Sequence, residues 1–437
     1  MSAIDDGLLS PVTAGHDDLV GDASVLEALI RAECALSAAY ADIGIAPHAA
    51  GIEIAHAFGV DEMHPSKAVG LDASSLSEAA VAGGNPVIPL VARMKAHVSE
   101  ELRGWVHRGA TSQDILDTAL MVVAQQAVAQ VRRSLGHATV RLWDRAEAHA
   151  GDVVAARTLT QHAVPTTIGQ RLTVWANGLE RAAARLDALG FPAQLGGAGG
   201  TLASFVELTG SRDAAADLVE AFAERLGLDA PAAPWHVTRW PVTELGDALV
   251  QALDAMGKLA ADVATLSRTE IGELSEGTGG GSSAMPQKQN PAEAVLIRSA
   301  AIRAPQLGAT LHLASALAVD ERPDGAWHAE WPTLRDLLRL ALGAAWHAAS
   351  LVAHLRIDAD AGARNLALTG ALILSERLGL VLVPLIGKAR FDEIIAAASA
   401  GEDLGGLVRA LPEASALDVD ALLDPVNYTG VAGEEDR

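Results

Sequence analysis

Apolar positions along the chain recur with the period of packed helices. From Ala124 the residues Ala124, Val128, Val131, Leu135, Ala138 and Leu142 follow in alternating steps of four and three, the seam of a helix packed at a shallow angle on others. The same alternation returns in Leu245, Leu249, Ala252, Met256, Leu259, Val263 and Leu266, between Pro241 and the glycine cluster after Glu276. Three more stretches carry a helical pattern: Thr167 to Leu189, closed by Gly190 and Pro192, Pro291 to about Ala318, and Ala329 to about Arg356. Helix formers dominate and strand-like runs of β-branched and aromatic residues are nearly absent. The pattern therefore predicts an all-α fold around a long central helix bundle.

Punctuation divides the chain into three expected domains. Residues 1–110 are broken at Pro47, Gly51, Gly59, Pro65, Gly70, Gly83, Gly84, Pro86 and Pro89, which predicts shorter helices in an N-terminal domain. Residues 111–358 hold the long bundle together with a distinctive loop at 275–291, and residues 359–437 shorten again into a small helical C-terminal domain. No solenoid-length repeat is present. The alanine-rich helices are apolar nearly all round, more surface than one subunit can hide, so a homo-oligomer is expected.

Charge narrows the partners. The 437 residues include 32 basic and 55 acidic side chains, a formal net charge of -23. Such a field repels nucleic-acid phosphates and anionic lipid, so neither nucleic acid nor a membrane is expected as a partner. A small polar substrate fits better. If it is an anion, its site lies where the scarce cations and helix N-termini cluster. Cys34 is the single cysteine and has a helical context, which reads as a core thiol. The start of the chain has acidic residues where a signal peptide needs basic ones, and apolar runs such as Leu380 to Ile386 are too short to span a bilayer. A cytoplasmic protein is expected.

Three segments carry candidate chemistry. In the loop after the second seam, Gly277, Gly279, Gly280 and Gly281 provide a hinge, while Ser282 and Ser283 supply hydroxyls and Lys288 a full positive charge. Asn290 suits an N-cap, Pro291 the first helical position and Glu293 a capping-box acid, which predicts a helix start whose unpaired N–H groups attract anions. A phosphate-cradle reading fails because no Gly-Lys-Ser/Thr follows a strand here. Taken alone, a flexible connection between helices explains the loop equally well. The second segment leads into the first seam: Thr111 with Asp114 reads as a helix start, and a plain N-cap suffices for Thr111 itself. Yet Thr111, Ser112 and Gln113 set three neutral donors at a positive helix end, with His107 and Arg108 just upstream, a combination that suits a carboxylate. The third segment, Arg157 to Gly169, contains His162, the imidazole that a search for a general acid selects first, although a lone histidine is more often structural. His64, His97, His312 and His328 show no paired spacing with carboxylates on one helix face, so no metal is expected.

Gly281-Ser-Ser-Ala-Met-Pro-Gln-Lys-Gln-Asn-Pro resembles the signature loop of the fumarase/aspartase superfamily, and the similarity runs through most of the chain in the same order. The resemblance implies a tetramer of helical subunits and no cofactor. It implies that Ser282 is the catalytic base on a closing loop, with Lys288 and Asn290 holding the substrate carboxylate and Ser283 and Met285 beside them in the substrate-binding set. The segment around His107, Arg108, Thr111, Ser112 and Gln113 is similar to the family's second substrate-binding region, and Gln161 and His162 match positions in a third. Adenylosuccinate lyases place a catalytic histidine after the Arg-Thr pair, where this chain has Leu159. That departure resembles the cycloisomerase branch, as do Gly84-Asn-Pro-Val-Ile-Pro-Leu-Val and Glu321-Arg-Pro-Asp-Gly-Ala-Trp-His-Ala-Glu-Trp. The latter keeps Arg322 for substrate but lacks the serine and arginine that a nucleotide phosphate needs. Gly196-Gly-Ala-Gly-Gly-Thr resembles a family turn with a close-packing role. The implied reaction is cycloisomerisation of 3-carboxy-cis,cis-muconate, a tricarboxylate, by proton transfer next to a carboxylate. The competing readings are another superfamily lyase that releases fumarate and a helical scaffold without catalysis.

Overall fold

The computed structural model describes residues 7–60, 71–277, 280–281, 285 and 287–432; Ser282 and Ser283 lie outside the described residues. The fold is helical. Five long helices, Ser112–Ala148, Ile168–Asp187, Trp240–Leu266, Ala292–Ala316 and Gly325–His354, occupy the five stretches that the apolar period marks out. Every residue of both seams is buried, from Ala124 to Leu142 and from Leu245 to Leu266. Pro305 and Pro332 lie inside two of these helices, which continue past them.

The chain forms two compact units, and the division falls within all five long helices. The first unit takes residues through Arg133, Ala182–Asp254 and Ser299–Trp346. In it, helix Asp22–Asp42 packs against helices His48–Ala57 and Arg212–Leu226. Two glycines let long helices approach closely: a Cβ on Gly246 would stand 2.7 Å from Leu311 Cδ1, and one on Gly308 would stand 3.0 Å from Val250 Cγ2.

The second unit takes Ser134–Arg181, Ala255–Arg298 and His347–Arg437. Its C-terminal part has its own small core, with Leu378, Leu382, Ile394 and Val408 buried. It also holds an element that the period-based reading overlooks. Strands Val153–Thr158 and Gln161–Thr167 form an antiparallel hairpin, paired at Val153 with Thr167 and at Thr158 with Gln161, with an irregularity between Ala155 and Arg157. Leu159 and Thr160 make its two-residue turn at φ 48° and 73°, the left-handed pair of a type I′ turn. The available signal is the Val and Thr content of 153–154 and 164–167, which is dense in β-branched residues on both sides of the turn. Among the described residues no single helix is long and apolar enough to cross a membrane.

Candidate active site

In the first unit the candidate residues gather at the start of helix Ser112–Ala148. Asp114 is fully buried and organises them: its carboxylate accepts the Thr111 N–H at 3.0 Å, the Gly196 N–H at 2.8 Å and the Gly197 N–H at 3.0 Å, and lies 2.8 Å from His236 Nε2. A helix start and a glycine turn 82 residues away are thus clamped to one carboxylate. The glycines are required by contact. A Cβ on Gly196 would stand 2.8 Å from His236 Cε1, and Gly197 has φ +73° with Ser204 Oγ 3.0 Å from where its Cβ would be. Arg322 Nη2 donates to Ala198 O in the same turn at 2.9 Å, and Ser204 Oγ donates to Gly109 O at 2.7 Å. Thr111 and Arg322 are therefore linked through Asp114 and the glycine turn, while Ser112 opens the helix and His107 and Arg108 precede it in the chain.

Gln113 is placed differently from a surface donor. It is fully buried, and its Nε2 donates to Asp117 Oδ2 at 3.2 Å and to His236 O at 2.9 Å. Behind it lies a buried ion cluster that sequence reasoning missed. Arg239 donates to Asp117 at 2.7 and 3.0 Å and to Glu330 at 2.6 and 3.0 Å, and Trp327 Nε1 donates to Asp117 Oδ1 at 2.9 Å. Burial works against the guanidinium charge, but the two carboxylates outweigh it and raise Arg239 above its ordinary value. No short spacing announces this cluster, because its members come from two distant helices and from the residue just before a third.

In the second unit the base of the signature loop is built from a buried carboxylate on each side of one short strand. Glu273 is fully buried and accepts bonds from Arg157 at 2.5 and 3.1 Å, Arg171 at 3.0 Å and Asn365 at 2.9 Å. Burial alone would raise its carboxyl; the Arg157 and Asn365 bonds, with the charges of Arg157 and Arg171, more than reverse this and lower it. Glu276, at the end of strand Leu274–Glu276, accepts the N–H groups of Glu293 and Ala294 at 3.1 and 2.7 Å.

That contact corrects the expectation of an anion-attracting helix end after Asn290. The anion on this end belongs to the chain itself. Asn290 lies in strand Gln289–Asn290, paired with Gly280–Gly281, and the helix begins at Ala292. The two glycines and the two polar residues thus zip the loop shut at its neck. Lys288 is exposed, with its backbone N–H on Met285 O at 3.0 Å, and Met285 is exposed. On the hairpin, Gln161 is exposed beside the turn, while His162 Nδ1 lies 2.8 Å from Thr369 Oγ1. Burial, reinforced by Arg157 and opposed by Glu273, lowers the His162 imidazole. Together with Arg157, Arg171, Lys258 and Arg268, His162 lines a cavity of ≈ 600 Å³.

Helical architecture, signature loop and clamped Thr-Ser helix start define an enzyme of the lyase type, and residues 19–305 match the lyase family Lyase_1. The chain belongs to this family, within the fumarase/aspartase superfamily. It is 43% identical to the nitrosuccinate lyase of Streptomyces davaonensis over 99% of this chain and 94% of that protein. To the 3-carboxy-cis,cis-muconate cycloisomerase of Pseudomonas aeruginosa it is 36% identical over 94% of this chain and 90% of that protein. The crystal structure of the 3-carboxy-cis,cis-muconate lactonizing enzyme from Pseudomonas putida superposes with a TM-score of 0.86 at 32% identity, covering 99% of this chain and 97% of that one.

Proposed function

We propose that the enzyme removes a proton next to a carboxylate of a four-carbon dicarboxylate and eliminates nitrite from 2-nitrosuccinate. The observation that carries this reading is Leu159 at the hairpin tip, together with the 43% identity to a nitrosuccinate lyase along nearly the whole chain. A leaving amine or alkoxide needs protonation, and a leucine cannot supply it. Nitrite is a weakly basic anion that departs unprotonated. The balance is simple: 2-nitrosuccinic acid loses one proton from its methylene carbon and nitrite from the adjacent carbon, giving fumaric acid and nitrous acid.

Ser282 would take the proton, and the electron pair would spread into the neighbouring carboxylate before forming the double bond. Lys288 and the Asn290 amide would stabilise that dianion more than the ground state, each such donor contributing about 100- to 1000-fold in rate. As the family resemblance implies, His107, Arg108, Thr111, Ser112 and Arg322 would bind the second carboxylate, and Gln161, His162, Ser283 and Met285 would add substrate contacts. Asp114 and Gln113 would fix the helix start from the interior. A homotetramer that works without a cofactor accompanies this reading.

The second reading is cycloisomerisation of 3-carboxy-cis,cis-muconate, where Ser282 delivers the proton after one carboxylate adds to a double bond. The 0.86 TM-score with the Pseudomonas putida lactonizing enzyme favours it, and an internal carboxylate likewise needs no imidazole acid. Incubation with each compound separates the two. Nitrite and fumarate in equal amounts from 2-nitrosuccinate support the first, and loss of muconate absorbance with lactone formation supports the second. Ser282→Ala is expected to abolish turnover with the fold intact by circular dichroism; a rate near that of the parent removes Ser282 from the scheme.

A further inference from the structure

The loop entering helix Ser112–Ala148 is held from behind by one face of helix Asp22–Asp42. Glu33, Ser37 and Tyr40 stand four and three residues apart on that helix and are fully buried, a polar stripe on an otherwise apolar surface. Ser37 Oγ donates to Trp105 O at 3.0 Å, and Tyr40 OH donates to Arg108 O at 3.0 Å. Between these two anchors Glu33 Oε1 lies 2.6 Å from His107 Nδ1, while Glu33 Oε2 is buried without a partner. The backbone of His107 is bent to φ +57°, which a side chain rarely tolerates unless its surroundings hold it there.

A fully buried carboxylate with an open lone pair is costly unless a positive charge sits against it. His107 is the group bonded to it. With Nδ1–H fixed on Glu33, Nε2 is the ring atom left to meet a ligand.

We propose that Glu33 is a positioning residue that holds His107 as an imidazolium and aims its Nε2–H at one carboxylate of the bound dicarboxylate. The assignment rests on the reading that His107 belongs to the substrate site, and it gives this imidazole a binding task instead of a proton-transfer one. A cation on Nε2 gains more from a carboxylate than a neutral ring does.

The charged groups around the ring are Glu33 from helix Asp22–Asp42, Asp114 from helix Ser112–Ala148 and Lys95 from helix Val87–His97; the adjacent Arg108 guanidinium lies over the Trp105 ring, 4.3 Å from its centroid. Burial alone would lower the imidazole. The bond to Glu33 and its charge, with Asp114 adding, outweigh burial and Lys95 and raise His107 above the ordinary histidine value. A raised folded-state value means that the stabilisation is complete below the unfolded value and is lost as pH rises through the folded one. Substrate affinity should fall across the same window.

The test is a pH titration of the full chain labelled with 15N-histidine, using His107→Gln to assign the resonance, alongside kinetics with both substrates. The His107 midpoint is expected above that of ordinary histidines, and Glu33→Gln should move it down by about one pH unit or more. In Glu33→Gln, KM near neutral pH should rise about tenfold with a much smaller change in kcat. Ser37→Ala, which loosens the same loop, should leave the midpoint where it is. A midpoint unchanged by Glu33→Gln overturns the proposal, as does a shifted midpoint with an unchanged KM. If Glu33→Gln does not fold, the parent titration decides: a midpoint at or below the ordinary value overturns it. A shifted midpoint in an enzyme that turns over neither substrate overturns the functional reading above and leaves the Glu33–His107 pair standing.

Discussion

Leu159 is almost entirely exposed and sits at positive φ, followed by Thr160 in the same backbone region. A leucine and a β-branched threonine are poor choices for a type I′ turn, where Asn-Gly relieves the clash of Cβ with the following carbonyl. Such strain marks a place where side-chain identity matters more than stability. Replacing Leu159 with Asn and Thr160 with Gly together should therefore raise the free energy of unfolding by about 1 kcal/mol, read from urea denaturation. No gain would mean that the tip is already relaxed. The same residue scale explains why Glu33 and Arg239 escape a motif search. Each is a single charged residue with no motif around it, and only burial turns it into a determinant.

At the scale of elements, the decisive contact is Glu276 on the first turn of helix Ala292–Ala316. It ties the strand before the signature loop to the helix after it. The sequence places Asn290 and Glu293 where caps belong, and both fit the local rules. The carboxylate actually used comes from 17 residues away. Glu276→Ala should cost about 1–2 kcal/mol of stability, the loss of a helix cap, and should lower turnover because the loop neck is released. Denaturation and kinetics on the same preparation check both. Unchanged stability would show that solvent can replace this cap.

Across the whole molecule, charge and apolar surface act together. The net charge of -23 directs a search for an anionic substrate to the few cations, but Arg157 and Arg171 are already paired with Glu273 and Arg239 with two carboxylates. Lys288 on the loop and Arg108 beside His107 are not bound to a carboxylate among the described residues. The apolar surface has an equally clear pattern. Val295, Ile302 and Leu313 are exposed on helix Ala292–Ala316, seven and eleven residues apart, close to whole numbers of turns, so they form one stripe. A stripe of this kind on a monomer calls for a cover, and a second copy of the chain would supply one. Light scattering after size exclusion should return a mass near four times the 45.0 kDa of one chain. A mass near 45.0 kDa would refute the oligomer.

The amino-acid sequence by itself determined the helical class, because a period of four and three is visible wherever a long helix buries one face. It determined the five long helices almost to their ends and, through the unbroken run from Gly281 to Pro291, the family and the loop that carries Lys288 and Asn290. Tertiary structure decided what lies behind those residues. The hairpin of Val153–Thr158 and Gln161–Thr167 is too short and mixed to stand out from periodicity, and its pairing is set by the turn between the strands. Glu33 on His107, Asp114 on the glycine turn and Glu276 on a distant helix end are contacts between residues 17 to 82 positions apart. Their energy depends on burial and exact direction, and a linear sequence encodes neither until the chain has closed on itself.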